Sequence, residues 1–170
     1  MSSPSTVQIR PIQASDKETW KNLWGQYNVF YKRTVPDNVT EATFARFLDP
    51  QNPISCAVAI KGADSQPIGF ATYYPHPSTA SIDPNFYLHD LFVDPSSRAA
   101  GTGEKLIDYV ADKAREAGAY QLYWHTQVSR SCSWPESSLL TKMQYFNYRA
   151  QGLYAKVGER SDLVLWKKGL

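Results

Sequence analysis

The chain has 170 residues, 42% of them hydrophobic, with 18 Lys and Arg against 16 Asp and Glu. That length suits one domain with a sizeable core, and a net charge of +2 argues against a strongly basic nucleic-acid binder or an acidic disordered tail. No apolar run approaches the ~20 residues that span a bilayer, and residues 1–6 lack the regions of a signal peptide. A soluble protein of the cytoplasm or nucleus is expected. Cys56 and Cys132 have neither paired spacing nor a nearby His cluster, so neither a disulfide framework nor a zinc site is expected.

In chain order, residues 7–12 alternate apolar and polar as a half-buried strand does, and Pro11 puts that strand near a sheet edge or a strand end. Asp16 or Ser15 can cap a following helix whose inner face is Trp20, Leu23, Trp24, Tyr27, Phe30 and Tyr31. A second helix has Thr40 as its cap, with Phe44, Phe47 and Leu48 on one side and Pro50 beyond its end. Residues 56–60 and 68–74 read as strands joined by a turn at 61–67. A loop at 75–78 leads to a third strand at 86–93, ended by Asp94 and Pro95. Residues 101–117 form a helix with Leu106, Ile107, Val110, Ala111 and Ala114 inward and Gly118 as C-cap. A strand at 120–126, a helix at 147–157 and a last strand at 162–166 complete the chain. The order β-α-α-β-β-β-α-β-α-β predicts an α/β fold, a mixed sheet flanked by helices.

Residues 88–107 carry the chemistry. A strand holding His89, Asp90, Leu91, Phe92 and Val93 runs into the turn Arg98-Ala99-Ala100-Gly101-Thr102-Gly103, which opens a long helix. The first turn of a helix has backbone N–H groups without intrahelical partners, at the positive end of its dipole. Gly101 and Gly103 let an anion approach them and Arg98 adds charge, so the turn suits a phosphate or pyrophosphate. Gly-Lys-Ser/Thr is absent, which excludes a Walker loop. The order Arg-x-x-Gly-x-Gly, with no ribose-binding acid at the usual interval, excludes a dinucleotide fingerprint.

With Asp90-Leu91-Phe92-Val93 before it, Arg98-x-x-Gly101-x-Gly103 resembles the acetyl-CoA motif of the GNAT N-acetyltransferases. Asn147-x-x-Ala150-x-x-Leu153-Tyr154-x-Lys156-x-Gly158 is similar to that family's C-terminal motif. Residues 16–49, with Trp20-x-x-Leu23-Trp24 and Phe44-Ala45-Arg46-Phe47-Leu48-Asp49-Pro50, look like the small fungal histone and D-amino-acid acetyltransferases within it. The resemblance covers essentially the whole chain and implies a single GNAT domain over 7–168, in which two parallel strands splay to hold acetyl-CoA. It implies that the backbone of Leu91, Phe92 and Val93 pairs with the pantetheine arm, and that Arg98, Ala99, Ala100, Gly101, Thr102 and Gly103 cradle the pyrophosphate. Asn147 then contacts the cofactor, although a plain helix cap would look the same. Tyr154 sits near the thioester sulfur, where a phenol of pKa ~10 can protonate the departing thiolate. No metal is implied. The acceptor is a small-molecule amine or a lysine-containing peptide, and a homodimer or larger assembly stays open.

Direct attack requires a neutral amine, so a proton must leave it. His89 and Asp90 are the acceptor candidates, with His76 and His125 weaker ones. Strand alternation allows only one of the adjacent pair to face the acceptor. Histone tails and polyamines would favour acidic groups such as Asp37, Glu41 and Asp83, whereas an amino acid needs a cation for its carboxylate, Arg33 or Arg46. The alternative is a catalytically weak acyl-CoA-binding or interaction domain on the same fold. No basic patch interleaved with aromatics supports nucleic-acid binding, and no membrane contact is expected.

Residues 128–144 do not fit the family spacing, because relatives run almost directly from the late strand to the Asn147 helix. One reading is an insertion over the acceptor site, with Ser133-Trp134-Pro135-Glu136 as a capping box. The other is a retained intron: the 17-residue stretch opens on Val, whose codons begin GT, and closes on Gln, which CAG encodes.

Overall fold

The structure, a computed structural model, describes residues 6–62, 66–126 and 148–159. It divides into two compact units, Met1–His125 and Thr126–Leu170. In the first, β1 (Val7–Pro11) leads through a 3₁₀ turn at Ala14–Asp16 into α1 (Lys17–Phe30) and α2 (Asp37–Leu48). There follow β2 (Ser55–Lys61), β3 (Pro67–His76), β4 (Asn85–Val93), a second 3₁₀ turn at Pro95–Ala100, α3 (Thr102–Glu116) and β5 (Gln121–Trp124). In the second unit, α4 (Tyr148–Val157) ends where the Gly158 N–H donates to the Tyr154 carbonyl at 2.9 Å. The predicted strand at 162–166, Asn147 and residues 128–144 lie outside the described residues.

The strands stand in chain order, β1-β2-β3-β4-β5. The first four pair antiparallel, and β5 returns parallel to β4 because α3 carries the chain back across the sheet. The mixed sheet expected from the element order is present.

On one face the aromatic stripe of α1 makes the core. Trp20, Leu23, Trp24 and Tyr27 pack with Phe44 of α2 over Cys56, Val58, Ile60, Phe70 and Phe92 of the sheet. Trp20 and Trp24 stack at 5.6 Å, and both rings meet Phe70. On the other side α3 packs against β2, β3 and β4 and buries Leu106, Ile107, Val110 and Ala114. Among the described residues, no helix is long and apolar enough to cross a membrane.

The boundaries differ from the sequence reading in four places. Thr40 is a buried residue inside α2, which begins at Asp37, because the Pro36 carbonyl accepts the N–H groups of Val39 and Thr40. Phe30 and Leu48 stay exposed at the last turns of their helices. Pro75 and His76 belong to β3, paired with Phe86 and Asn85. The ladder with β2 ends at Tyr73, so β3 is an edge strand from there on, where a proline's missing N–H costs no hydrogen bond. Lastly, β5 is shorter at both ends than expected.

One ion pair fixes how α1 enters. Arg10 donates two parallel hydrogen bonds to Asp16, at 2.7 and 2.8 Å, and the Gln13 N–H donates to the same carboxylate at 2.8 Å. Burial pushes the Asp16 carboxyl up, but Arg10 and the Gln13 N–H outweigh it and hold it below its ordinary value. A depressed folded value means that the stabilisation is complete above the unfolded value of ~3.9 and is lost as pH falls through the folded one. Asp16→Asn is expected to cost about 2 kcal/mol at pH 7, the scale of a charged hydrogen bond. Urea midpoints measured between pH 7 and 3 should fall more for the wild type than for the variant, and parallel curves would refute the assignment.

Candidate active site

β4 and β5 pair from Asn85 with Gln121 to Leu88 with Trp124, and no further. From His89 to Val93, β4 keeps β3 on one side and, among the described residues, no strand on the other. The strands part at a bulge. Thr72 pairs with Asp90 and Tyr73 with Leu88, which leaves His89 as the extra residue of β4. A bulge bends its strand and breaks the alternation of side chains. Leu88, opposite Tyr73, is buried, while His89 and Asp90 come to lie together, with His89 Nδ1 3.0 Å from Asp90 Oδ2. Strict alternation therefore fails here and the two side chains meet, although only His89 is exposed.

The pair is half wet and half dry. The His89 side chain is 47% exposed and that of Asp90 6%. A buried carboxylate needs compensating partners, and Asp90 has its hydrogen bond with His89 and the Tyr27 hydroxyl of α1 within electrostatic reach. Tyr27 in turn packs on Tyr31, their rings edge to face at 4.8 Å. Burial first, and then the charge of Asp90, drive the Tyr27 phenol far above its ordinary value, so it stays a donor. For His89 the hydrogen bond to Asp90 dominates and raises its value above 6.5, against burial and the field of Arg33. A carboxylate only accepts, so Nδ1 carries a proton and the Nε2 lone pair remains to take another.

Arg33 lies just past α1. Its guanidinium sits over Trp24 and Tyr27, 5.1 and 5.4 Å from the ring centroids, and its Nε donates to Asn28 Oδ1 at 2.6 Å. Asn28 Nδ2 donates to the Trp24 carbonyl at 2.9 Å, so the cation is braced on α1. Its field reaches Tyr27, Tyr31 and His89. The acidic candidates are placed differently. Glu41 of α2 is held by Lys17 and Lys21 at 2.7 and 2.8 Å, and Asp83 is exposed in the loop before β4. Arg46 is exposed in the last turn of α2.

Beyond the free edge of β4 the chain turns into α3. Arg98 Nε donates to the Val93 carbonyl at 3.0 Å, and the guanidinium lies 5.8 Å from the Phe92 ring centroid. The Phe92 side chain is buried against Tyr27 and Phe70, so Phe92 offers a ligand its backbone alone; Leu91 and Val93 are half-buried. Ala99 and Ala100 close the 3₁₀ turn, and Gly101 follows at φ +65°, a left-handed conformation that favours glycine. The Gly101 carbonyl accepts the Lys105 N–H, so the N–H groups of Thr102, Gly103 and Glu104 open the helix. Thr102 is fully buried, and its Oγ1 has no hydrogen-bond partner among the described residues. Asn147 is outside the described residues, and Tyr154 is half-buried on α4. Among the described residues no group of three or more His, Cys, Asp or Glu could hold a metal ion.

Residues 17–134 match the acetyltransferase (GNAT) family. The chain belongs to that family. It is 34% identical over 162 residues to D-amino-acid N-acetyltransferase HPA3 of Saccharomyces cerevisiae, covering 95% of this chain and 90% of that one. It is 26% identical to the uncharacterized N-acetyltransferase YhfO of Bacillus subtilis, covering 92% and 91%. The aminoglycoside N-acetyltransferase AAC(6')-Iy, solved with CoA, superposes with a TM-score of 0.74 at 21% identity over 99% of this chain and 98% of that one, a likeness of fold. As a GNAT member the chain is an N-acetyltransferase that uses acetyl-CoA.

Tyr27 and Tyr31 were not among the sequence candidates. Their helical spacing marks them as core, and only the packing of α1 on β4 gives them Asp90. NMR titration should place the His89 midpoint above 6.5 in the wild type and lower in Asp90→Asn; an unmoved midpoint would separate the two residues. Because folding raises this value, the pair's contribution to stability is complete below pH ~6.5 and fades as pH rises through the folded value.

Proposed function

We propose that the protein acetylates the α-amine of a free amino acid, and D-amino acids in particular. The observation that carries this reading is Arg33, a braced cation whose field reaches the exposed base of the site. A guanidinium in that position suits a carboxylate, and it would repel a polyamine or a lysine tail. The 34% identity to a protein named D-amino-acid N-acetyltransferase supports the same class and is the sole ground for the D configuration.

Acetyl-CoA fits the residues present. The edge of β4 at 89–93 offers backbone donors and acceptors to an extended arm, and Arg98 with the first turn of α3 offers N–H groups and charge to a pyrophosphate. Asn147 is assigned to this cofactor site by the family motif. When bound, acetyl-CoA supplies an acyl thioester. Arg33 holds the acceptor carboxylate and sets its amine beside His89. Nε2 of His89 takes a proton from the ammonium, and Asp90, bonded to Nδ1, stabilises the imidazolium that results. The amine nitrogen would bond to the acyl carbon as the carbon–sulfur bond breaks. Tyr154 Oη, given this role by the family motif, would pass its proton to the leaving sulfur and regain one through solvent, as the nitrogen sheds its second proton to become the amide.

Arg33→Gln is expected to raise KM for the amino acid at least tenfold, about 1.4 kcal/mol. It should raise KM much less for the matching amine without a carboxylate. Equal effects on the two acceptors would remove Arg33 from carboxylate recognition. Tyr154→Phe keeps the ring and deletes the proton, so kcat should fall by about 10²-fold with little change in acetyl-CoA affinity. A full kcat with chemistry shown to be rate-limiting would return Tyr154 to a packing role.

A further inference from the structure

Tyr74, Tyr87 and Tyr123 stand in one row across three strands, because the register pairs Tyr74 with Tyr87 and Tyr87 with Tyr123. Their rings touch, with centroids 5.6 Å apart for the first pair and 5.1 Å for the second. All three are half-buried, so each keeps some surface for a ligand. The row abuts the base: the His89 ring lies 6.1 Å from Tyr74 and 5.6 Å from Tyr87.

Two histidines hold the hydroxyls. His76 Nδ1 is 2.9 Å from the Pro77 carbonyl oxygen, which only accepts, so Nδ1 bears the proton and Nε2 accepts the Tyr123 hydroxyl at 2.9 Å. His125 Nδ1 lies 3.1 Å from the Tyr87 hydroxyl. The hydroxyls of Tyr87 and Tyr123 are thereby engaged within the protein, and what these two offer a ligand is ring surface. Arg33 lies the other way along β4. It covers Tyr27, which packs on Phe92 beyond Asp90, whereas Tyr87 precedes His89. A cation, a proton acceptor and an aromatic surface therefore follow one another along the strand. An α-amino acid presents a carboxylate, an amine and a side chain from one carbon.

We infer that Tyr74, Tyr87 and Tyr123 form the side-chain subsite of the acceptor and select aromatic amino acids. Ring faces attract another ring edge to face or offset, beyond what its apolar area alone supplies. The inference rests on the amino-acid reading above.

The test is kcat/KM at saturating acetyl-CoA for alanine, leucine, phenylalanine, tyrosine and tryptophan in both configurations, with spermidine and a lysine peptide as other amines. Aromatic acceptors should exceed alanine at least tenfold and leucine about threefold or more. In Tyr87→Leu and Tyr123→Leu the phenylalanine-to-alanine ratio should fall to about threefold or below. Equal efficiency for phenylalanine and alanine, or a ratio that neither substitution moves, overturns the subsite and leaves the amino-acid reading intact. Turnover of spermidine or the peptide with none of any amino acid overturns both. If one variant fails to fold, the other and the wild-type series still decide.

Discussion

When a strand carries one residue more than its neighbour, the ladder between them cannot stay in step, and the side chains beyond that point change face. His89 is that residue in β4. Its insertion does three things together. It brings His89 and Asp90 side by side, it leaves Leu88 pointing away into the core, and it coincides with the place where β5 stops pairing. The His89–Asp90 pair and the end of the β4–β5 ladder thus fall at the same point of the strand.

The carboxylate at this point is affordable because the helix above it is polar where it needs to be. Most of the α1 stripe is apolar ring, but Tyr27 ends in a hydroxyl whose dipole acts on Asp90. A phenylalanine there would pack as well and leave a dry carboxylate with one polar neighbour fewer. Arg10 and Asp16 set the entry of α1, which connects a surface-proximal ion pair to the His89–Asp90 pair across the core.

Much of this was legible in the sequence. The Trp20-Leu23-Trp24-Tyr27 period and the helix after Gly103 fixed the elements, and Arg98-x-x-Gly101-x-Gly103 located a turn whose glycine at 101 is left-handed. Register was not legible. Period-two reasoning holds only while each residue faces one partner, so the bulge was invisible and His89 and Asp90 were read as opposed. The same blindness hid the row of tyrosines, because Tyr74, Tyr87 and Tyr123 become neighbours only through the pairing of three strands. Pro75 and His76 looked like a loop because a sequence does not say that β2 stops at Tyr73.

Arg33 is carried by the end of α1, while His89 sits on β4 and the Arg98–Gly103 turn opens α3. Its bracing comes from Asn28 and from ring faces on its own helix, and none of that bracing touches His89. On the proposed reading, substitution at this single corner would change which amines are admitted and leave the transfer chemistry unaltered. A lineage of such proteins can diversify its acceptors one helix end at a time.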